Sequence, residues 1–325
     1  MEYRKLGSSD LNVSVVGLGT NNFGVRITDM AQSASVIDAS IDSGINFIDT
    51  DNGYGGGQSE VHIGEALKGG KRDKVILATK FNLNKMEGQS VRDRINQEID
   101  ISLEKLKTDY VDLYQIHFPG EEISHEEVLE PMNDLVKAGK VRYIGECNYS
   151  GWRHAQSDAV SAAKGYAPFI SSQNYYNVLR REIELELLPF CTANNVGMLP
   201  YFPLAGGWLT GKYSSSAGIP DGARRMVGQL QGDERARAQL DQLDTFANEN
   251  GHSILDLAFS WLLAHPAVSS VIAGAMTPEQ VASNAASAGW QMSREERDAI
   301  DGIALWDGHN EKVEGFGPGT APVAK

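Results

Sequence analysis

Eight short apolar runs punctuate the chain, at residues 15–20, 47–50, 75–81, 111–117, 141–147, 169–174, 196–202 and 268–275. Most are continuous rather than alternating, the pattern of parallel strands covered on both faces. Between and after them lie segments with apolar residues near helical spacing, at 30–43, 59–67, 91–106, 126–138, 151–164, 183–194, 234–250, 254–264, 278–288 and 294–303. In the segment 91–106, Ile95, Ile99, Leu103 and Leu106 share one face. Gly44 and Gly139 follow two of the helices as stop signals. Ahead of the first strand, Gly7-Ser8-Ser9-Asp10 separates two short β-type runs and predicts a hairpin.

Strands each followed by at least one helix predict a (β/α)8 TIM barrel, which needs roughly 250 residues plus insertions. Nothing in composition or linker pattern divides the chain, so residues 1–325 read as a single barrel domain. An N-terminal hairpin, a long loop at 203–232 after strand 7 and extra C-terminal helices decorate it. The last roughly 20 residues, rich in Gly and Pro, read as a mobile tail. A doubly wound open sheet shares the same alternation and is the second reading.

Composition narrows the function. Asp and Glu outnumber Lys and Arg, 43 to 29, for a net charge of −14. Such a surface repels phosphate backbones and argues against nucleic-acid partners. The first residues, Met1-Glu2-Tyr3-Arg4-Lys5-Leu6, lack the apolar core of a signal peptide. No stretch approaches the roughly 18 apolar residues of a membrane span. A cytoplasmic protein without membrane partners is expected. Cys147 and Cys191 lack metal-ligand spacing and read as free thiols.

Three consecutive strands carry a charged or titratable residue at or next to their last position: Asp49, Lys80 and His117, with Tyr54 in the glycine-rich loop after the first. Barrel active sites are built at strand C-termini, so one rim would gather all four. Each alone has an ordinary alternative: a loop cap, a rim aromatic, a solvated strand end, a core histidine. Together they suit carbonyl chemistry. Reduction makes the carbonyl oxygen alkoxide-like, which calls for an acid and fixed positive charge. A phenol with pKa near 10 is a weak acid at neutral pH, and an adjacent ammonium lowers that value. Lys80 is the expected cation for Tyr54, and Asp49 its anchor. His62, His125, His154, His252, His265 and His309 read as structural or solvated, and no His-x-His pair suggests a metal.

Several motifs occur in order: Asp49-Thr50-x-x-x-Tyr54-Gly55, Ala78-Thr79-Lys80, the strand-borne His117, Ser172-Gln173-Asn174-Tyr175, Tyr201-x-Pro203-Leu204, Leu209-x-Gly211-Lys212-Tyr213 and Gly274-Ala275-x-x-Pro278-Glu279-Gln280-x-x-x-Asn284. By these the chain resembles the aldo-keto reductases, from Gly7 to about Asp301. It is most similar to the branch with bacterial general-stress reductases and potassium-channel β subunits. The resemblance implies a tetrad of Asp49, Tyr54, Lys80 and His117. It also implies an NADPH/NADP+ cofactor, with NADH possible, and interconversion of an aldehyde or ketone with its alcohol.

The Gly17-Leu18-Gly19-Thr20 run is a poor dinucleotide fingerprint, since Asn22 stands where the third glycine belongs. Gly55-Gly56-Gly57 reads as loop flexibility. The resemblance gives a different cofactor site. Gly19, Thr20 and Asn21 pass near the nicotinamide. Asn148 and Gln173 bond its carboxamide, and Tyr201 stacks on its ring. Pro203, Leu204, Gly207 and Leu209 line the pyrophosphate, with Lys212 and Arg224 as cations. Gly274, Met276, Gln280 and Asn284 take the adenosine end, and the start of the following helix offers free N–H groups. Many relatives carry Lys-Ser and then Arg there; Gly274-Ala275 and Gln280 replace them, which weakens a strict NADPH preference.

The expected substrate wall comprises Phe23, Tyr54, His117, Phe118 and Trp208, with Phe202 beside them and Trp152 read as core. Such a pocket suits a bulky or hydrophobic carbonyl or secondary alcohol. A cofactor-sensing subunit with little turnover is the alternative; His117 argues against it, because the channel subunits carry Asn there. Monomer and homo-oligomer are both open.

Overall fold

The computed structural model describes residues 1–83, 88–120, 123–213 and 225–304. The expected tail lies outside these residues, as do His309 and Arg224. Strands β1 (Tyr3–Lys5) and β2 (Asn12–Ser14) form the antiparallel hairpin, with Arg4 opposite Val13. Eight parallel strands follow: β3 (Val16–Gly19), β4 (Phe47–Asp49), β5 (Ile76–Asn82), β6 (Val111–Phe118), β7 (Val141–Cys147), β8 (Phe169–Gln173), β9 (Gly197–Met198) and β10 (Val271–Gly274). Their order is β10-β3-β4-β5-β6-β7-β8-β9. The two ends meet: Met198 N–H donates to Ala267 O (2.8 Å), Ser269 N–H to Met198 O (3.0 Å) and Ile272 N–H to Pro200 O (3.1 Å). The sheet is therefore a closed (β/α)8 barrel, and the open doubly wound alternative is excluded.

The helices are α1 (Met30–Asp42), α2 (Gln58–Ala66), α3 (Val91–Leu106), α4 (His125–Lys137), α5 (Gly151–Lys164), α6 (Leu187–Asn194), α7 (Arg225–Gly232), α8 (Glu234–Glu249), α9 (Ile254–Leu263), α10 (Pro278–Ala286) and α11 (Arg294–Ile303). Their starts follow local chemistry. Ser124 with Glu127, Ser253 with Asp256, and Ser293 with Glu296 are reciprocal capping boxes.

The barrel interior explains which mouth carries the chemistry. Leu6, Leu11 and Val13 of the hairpin pack with Phe47, Ala78, Leu113, Ile170, Leu199 and Ile272. The hairpin thus plugs the end where strands begin. Gly7 makes this possible: its φ is +55° and a Cβ there would lie 2.1 Å from Ile170 O. With that end apolar and filled, the polar interior residues Asp49, Lys80, Gln115 and Gln173 collect toward the opposite mouth.

Three stretches differ most from the sequence expectation. Strand 196–202 shortens to β9, because Pro200 has no N–H for a ladder; Tyr201 instead bridges to Tyr175. Helix 183–194 splits into a 3-10 turn, Glu182–Leu185, and α6. Pro189 cannot donate to Leu185, so one helix cannot run through. Glu186 between them turns outward and accepts the Gly151 and Trp152 N–H groups at the start of α5. The long loop 203–232 contains a 3-10 segment, Ala205–Thr210, and helix α7. Gly206 and Gly207, both at positive φ, hid the first. Buried Met226 and Val227, with Leu230 packed against the core, hold the second.

Candidate active site

Asp49, at the end of β4, is fixed from three other strands, one adjacent and two across the barrel interior. Its Oδ2 accepts from Lys80 Nζ on β5 at 2.6 Å. Its Oδ1 accepts from Gln173 Nε2 on β8 at 2.9 Å and from Gln115 Nε2 on β6 at 3.2 Å. Lys80 is fully buried and also donates to Thr50 O at 2.8 Å. Burial alone would strip its proton. Asp49, with smaller contributions from Tyr54, Cys147 and Asp51, outweighs that, and the ammonium is held well above its usual value. A fixed cation therefore sits under the mouth of the barrel.

Tyr54 opens a 3-10 turn, Tyr54–Gly57, in which Gly55, Gly56 and Gly57 take φ of 60°, 66° and 88°. These glycines are a conformational requirement rather than slack. A Cβ on Gly55 would also lie 2.7 Å from Phe23 O. The turn brings the Tyr54 ring over Lys80, with Nζ 5.1 Å from the ring centroid. The sequence expectation was a lowered phenol pKa. The net direction is upward: burial dominates, Lys80 pulls it down, and Asp49 and Asp51 push it up again. Tyr54 thus rests as a neutral phenol, the form that can give a proton.

His117 lies on β6, edge-on to Tyr54 with ring centroids 6.0 Å apart, and stacked on Phe118 at 4.3 Å. Its Nδ1 is 2.8 Å from Oδ2 of Asp51. Asp51 was not among the expected residues. The signal was a second acid two residues past Asp49. Gln115 was also missed, although a polar residue inside an apolar strand was visible.

Tyr54, His117 and Phe118 open into a cavity of about 390 Å³. Most expected cofactor residues line it: Gly19, Thr20 and Asn21 after β3, Asn148 and Gln173 after β7 and on β8, and Tyr201, Pro203, Leu204, Gly207 and Lys212 along the loop after β9. Gly274, Met276 and Gln280 line its far end. Further liners that sequence reasoning gave no cofactor role include Asn22, Arg26, Cys147, Thr210 and Tyr213.

Other residues fall elsewhere. Phe23, Trp208 and Leu209 are fully buried and do not line the cavity, because their side chains join the hydrophobic core instead. Asn284 is buried on α10, away from the lining. Trp152, read as core, is 58% exposed at the start of α5. Cys147 and Cys191 are free and buried. His62 and His154 are buried, against Ser33 and Glu146.

Asn148 holds the wall together. It sits at φ 62°, donates from Nδ2 to His117 O at 2.9 Å, and accepts the Tyr201 hydroxyl at 2.8 Å. One face of Tyr201 is covered by Tyr175, stacked at 5.5 Å. At the far end, Gln280 Oε1 accepts from Met276 N–H at 2.8 Å, so its side chain folds back on the start of α10. No described helix is long and apolar enough to cross a membrane.

Comparison with known proteins agrees with this geometry. A model of the Aldo/keto reductase family matches residues 15–305. The aldo-keto reductase YhdN of Bacillus subtilis is 36% identical over 315 residues, 93% of either chain. Versiconal hemiacetal acetate reductase of Aspergillus parasiticus is 30% identical over 327 residues, spanning 91% of this chain and 95% of its own. A putative voltage-gated potassium channel subunit beta of Schizosaccharomyces pombe is 33% identical over 301 residues, spanning 87% and 86%. The family match covers nearly the whole barrel, and the chain belongs to the aldo/keto reductase family.

Proposed function

We propose that the protein is an NAD(P)H-dependent oxidoreductase that interconverts a bulky or hydrophobic aldehyde or ketone with its alcohol. The observation that carries this reading is the buried Lys80–Asp49 pair under Tyr54, facing the cavity that Asn148, Gln173 and Tyr201 also line. The lining fits a dinucleotide. Tyr201 has one face backed by Tyr175 and its edge fixed by Asn148. Gln173 turns its amide nitrogen inward to Asp49, which leaves its carbonyl oxygen for an amide donor. Gly206 and Gly207, at φ 71° and 114°, let backbone approach a ligand closely. The bound cofactor supplies or accepts the hydride.

The chain's own groups handle the proton. Tyr54 donates its phenolic proton to the carbonyl oxygen, and Lys80 stabilises the phenolate left behind. Asp49 keeps Lys80 charged and in place. His117 faces the same oxygen. Lys212 is the described cation on the cavity wall closest in sequence to the phosphate-lining loop, and Gln280 stands at the adenosine end. Lys212 favours NADPH, and neutral Gln280, folded back on Met276, leaves NADH as a second cofactor. The test is turnover of aromatic and aliphatic aldehydes, ketones and secondary alcohols against both reduced and both oxidised cofactors. Carbonyl-dependent NADPH consumption supports the reading; binding of neither dinucleotide overturns it.

A further inference from the structure

His117 meets a partner that the tetrad does not include. Asp51 is 4% exposed. Its Oδ1 accepts the Gly53 N–H at 2.8 Å, and its backbone carbonyl accepts the Tyr54 N–H at 3.2 Å. Its Oδ2 lies 2.8 Å from His117 Nδ1. The residue that builds the turn carrying Tyr54 therefore also sets a buried carboxylate oxygen, which makes no hydrogen bond of its own, against the imidazole across from it.

We propose that Asp51 is a positioning residue that fixes the tautomer of His117, placing a proton on Nδ1 and leaving Nε2 to the substrate oxygen. An ionised carboxylate only accepts hydrogen bonds. A carboxylate oxygen facing Nδ1 repels a lone pair there and favours a proton, so neutral His117 offers its lone pair at Nε2. It donates to a carbonyl oxygen there only as the imidazolium. Asp51 thereby couples the donor role of His117 to pH. The carboxyl is ionised at neutral pH: burial raises its pKa, and His117, Lys80 and the Gly53 amide bring it below the usual value.

The surroundings leave this coupling readable. Titratable groups that sense Asp51 are Lys80 on β5, Tyr54 in the same loop, Tyr114 on β6, Cys147 on β7 and Glu60 on α2. Asp49, on β4, acts on Tyr54, Lys80 and Cys147. Phe118 stacks on His117 and brings no charge. Burial pushes Tyr54, Tyr114 and Cys147 up, and Asp49 holds Lys80 up, so none of these four changes charge between about pH 5 and 8. Glu60 is raised by burial and hydrogen-bonded to Thr79, and serves as the control.

Asp51→Asn is the informative change. Gly53 N–H retains the side-chain oxygen, which turns the amide NH2 toward His117 Nδ1. Nδ1 must then accept, and the proton moves to Nε2. The first readout is nitrogen-15 NMR of the imidazoles, with His117 assigned by the signals lost in His117→Asn. Neutral His117 should carry its proton on Nδ1 in the wild type and on Nε2 in Asp51→Asn. This arm stands whether or not the protein reduces a carbonyl. The second arm rests on the proposed reductase activity. Wild-type kcat/KM for reduction should fall about tenfold per pH unit above its midpoint, as a single-proton requirement dictates. In Asp51→Asn the same span should show less than about a twofold fall, while Glu60→Gln keeps the wild-type slope. A wild-type Nε2–H tautomer, an unchanged tautomer in Asp51→Asn, or a loss of rate equal at every pH overturns the proposal.

Discussion

Replacing Asp49 by Asn isolates the pair on which the site is built. Lys80 is fully buried, and its ammonium has two acceptors, Asp49 Oδ2 at 2.6 Å and Thr50 O at 2.8 Å. The substitution leaves the carbonyl and removes the charge. Breaking a buried ion pair on one side costs about 3–5 kcal/mol, a large share of the roughly 5–15 kcal/mol that a domain has. The loss should depend on pH with a definite sign. In the wild type the folded-state pKa of Lys80 lies above its unfolded value. Its contribution is therefore complete below about pH 10, and is lost only as pH rises beyond, through the folded value. In Asp49→Asn the buried amine has lost its countercharge, and desolvation lowers its folded pKa below the unfolded one. The unfolded chain then binds more protons, and stability rises with pH. Urea unfolding at intervals from about pH 7 to pH 10 should show the variant regaining part of its deficit while this group leaves the wild type flat. A deficit under about 1 kcal/mol, or one independent of pH, would refute the claim that Asp49 maintains a buried cation.

Two further predictions concern the scaffold. Gly7→Ala must shift the hairpin, because the added Cβ meets Ile170 O at 2.1 Å in a left-handed backbone; a loss of at least about 1–3 kcal/mol is expected by denaturant unfolding, and an unchanged midpoint contradicts the plug. The buried His154–Glu146 pair, 2.9 Å apart, raises the imidazole pKa against the desolvation that would lower it. That stabilisation is complete below about pH 6.5 and is lost as pH rises through the higher folded value; His154→Gln should abolish this part of the pH dependence, and an unaltered slope between the two proteins counts against it.

The barrel was legible because strand and helix periods alternate along nearly the whole chain and because Asp49, Lys80 and His117 stand at successive strand ends. What escaped was set by tertiary context. Pro200 and Pro189 were visible but their effect on β9 and α6 depends on which backbone groups need partners. Phe23 and Trp208 have the composition of a substrate wall, yet burial is a property of the loops above them. The Tyr54 pKa direction was misjudged because sequence shows a cation nearby and cannot show desolvation or the two carboxylates beside it. Asp51 lay in plain view in the motif, but only the reach of His117 across the mouth makes it a partner.

The central claim is that a neutral phenol over a buried ammonium delivers the proton to a carbonyl beside a bound dinucleotide. Tyr54→Phe keeps the ring over Lys80 and removes only the hydroxyl. Dinucleotide binding by fluorescence titration should then match the wild type within about twofold, while turnover of an aldehyde falls by at least about a hundredfold, the usual worth of a positioned acid. Turnover at wild-type rate in Tyr54→Phe would contradict the account directly.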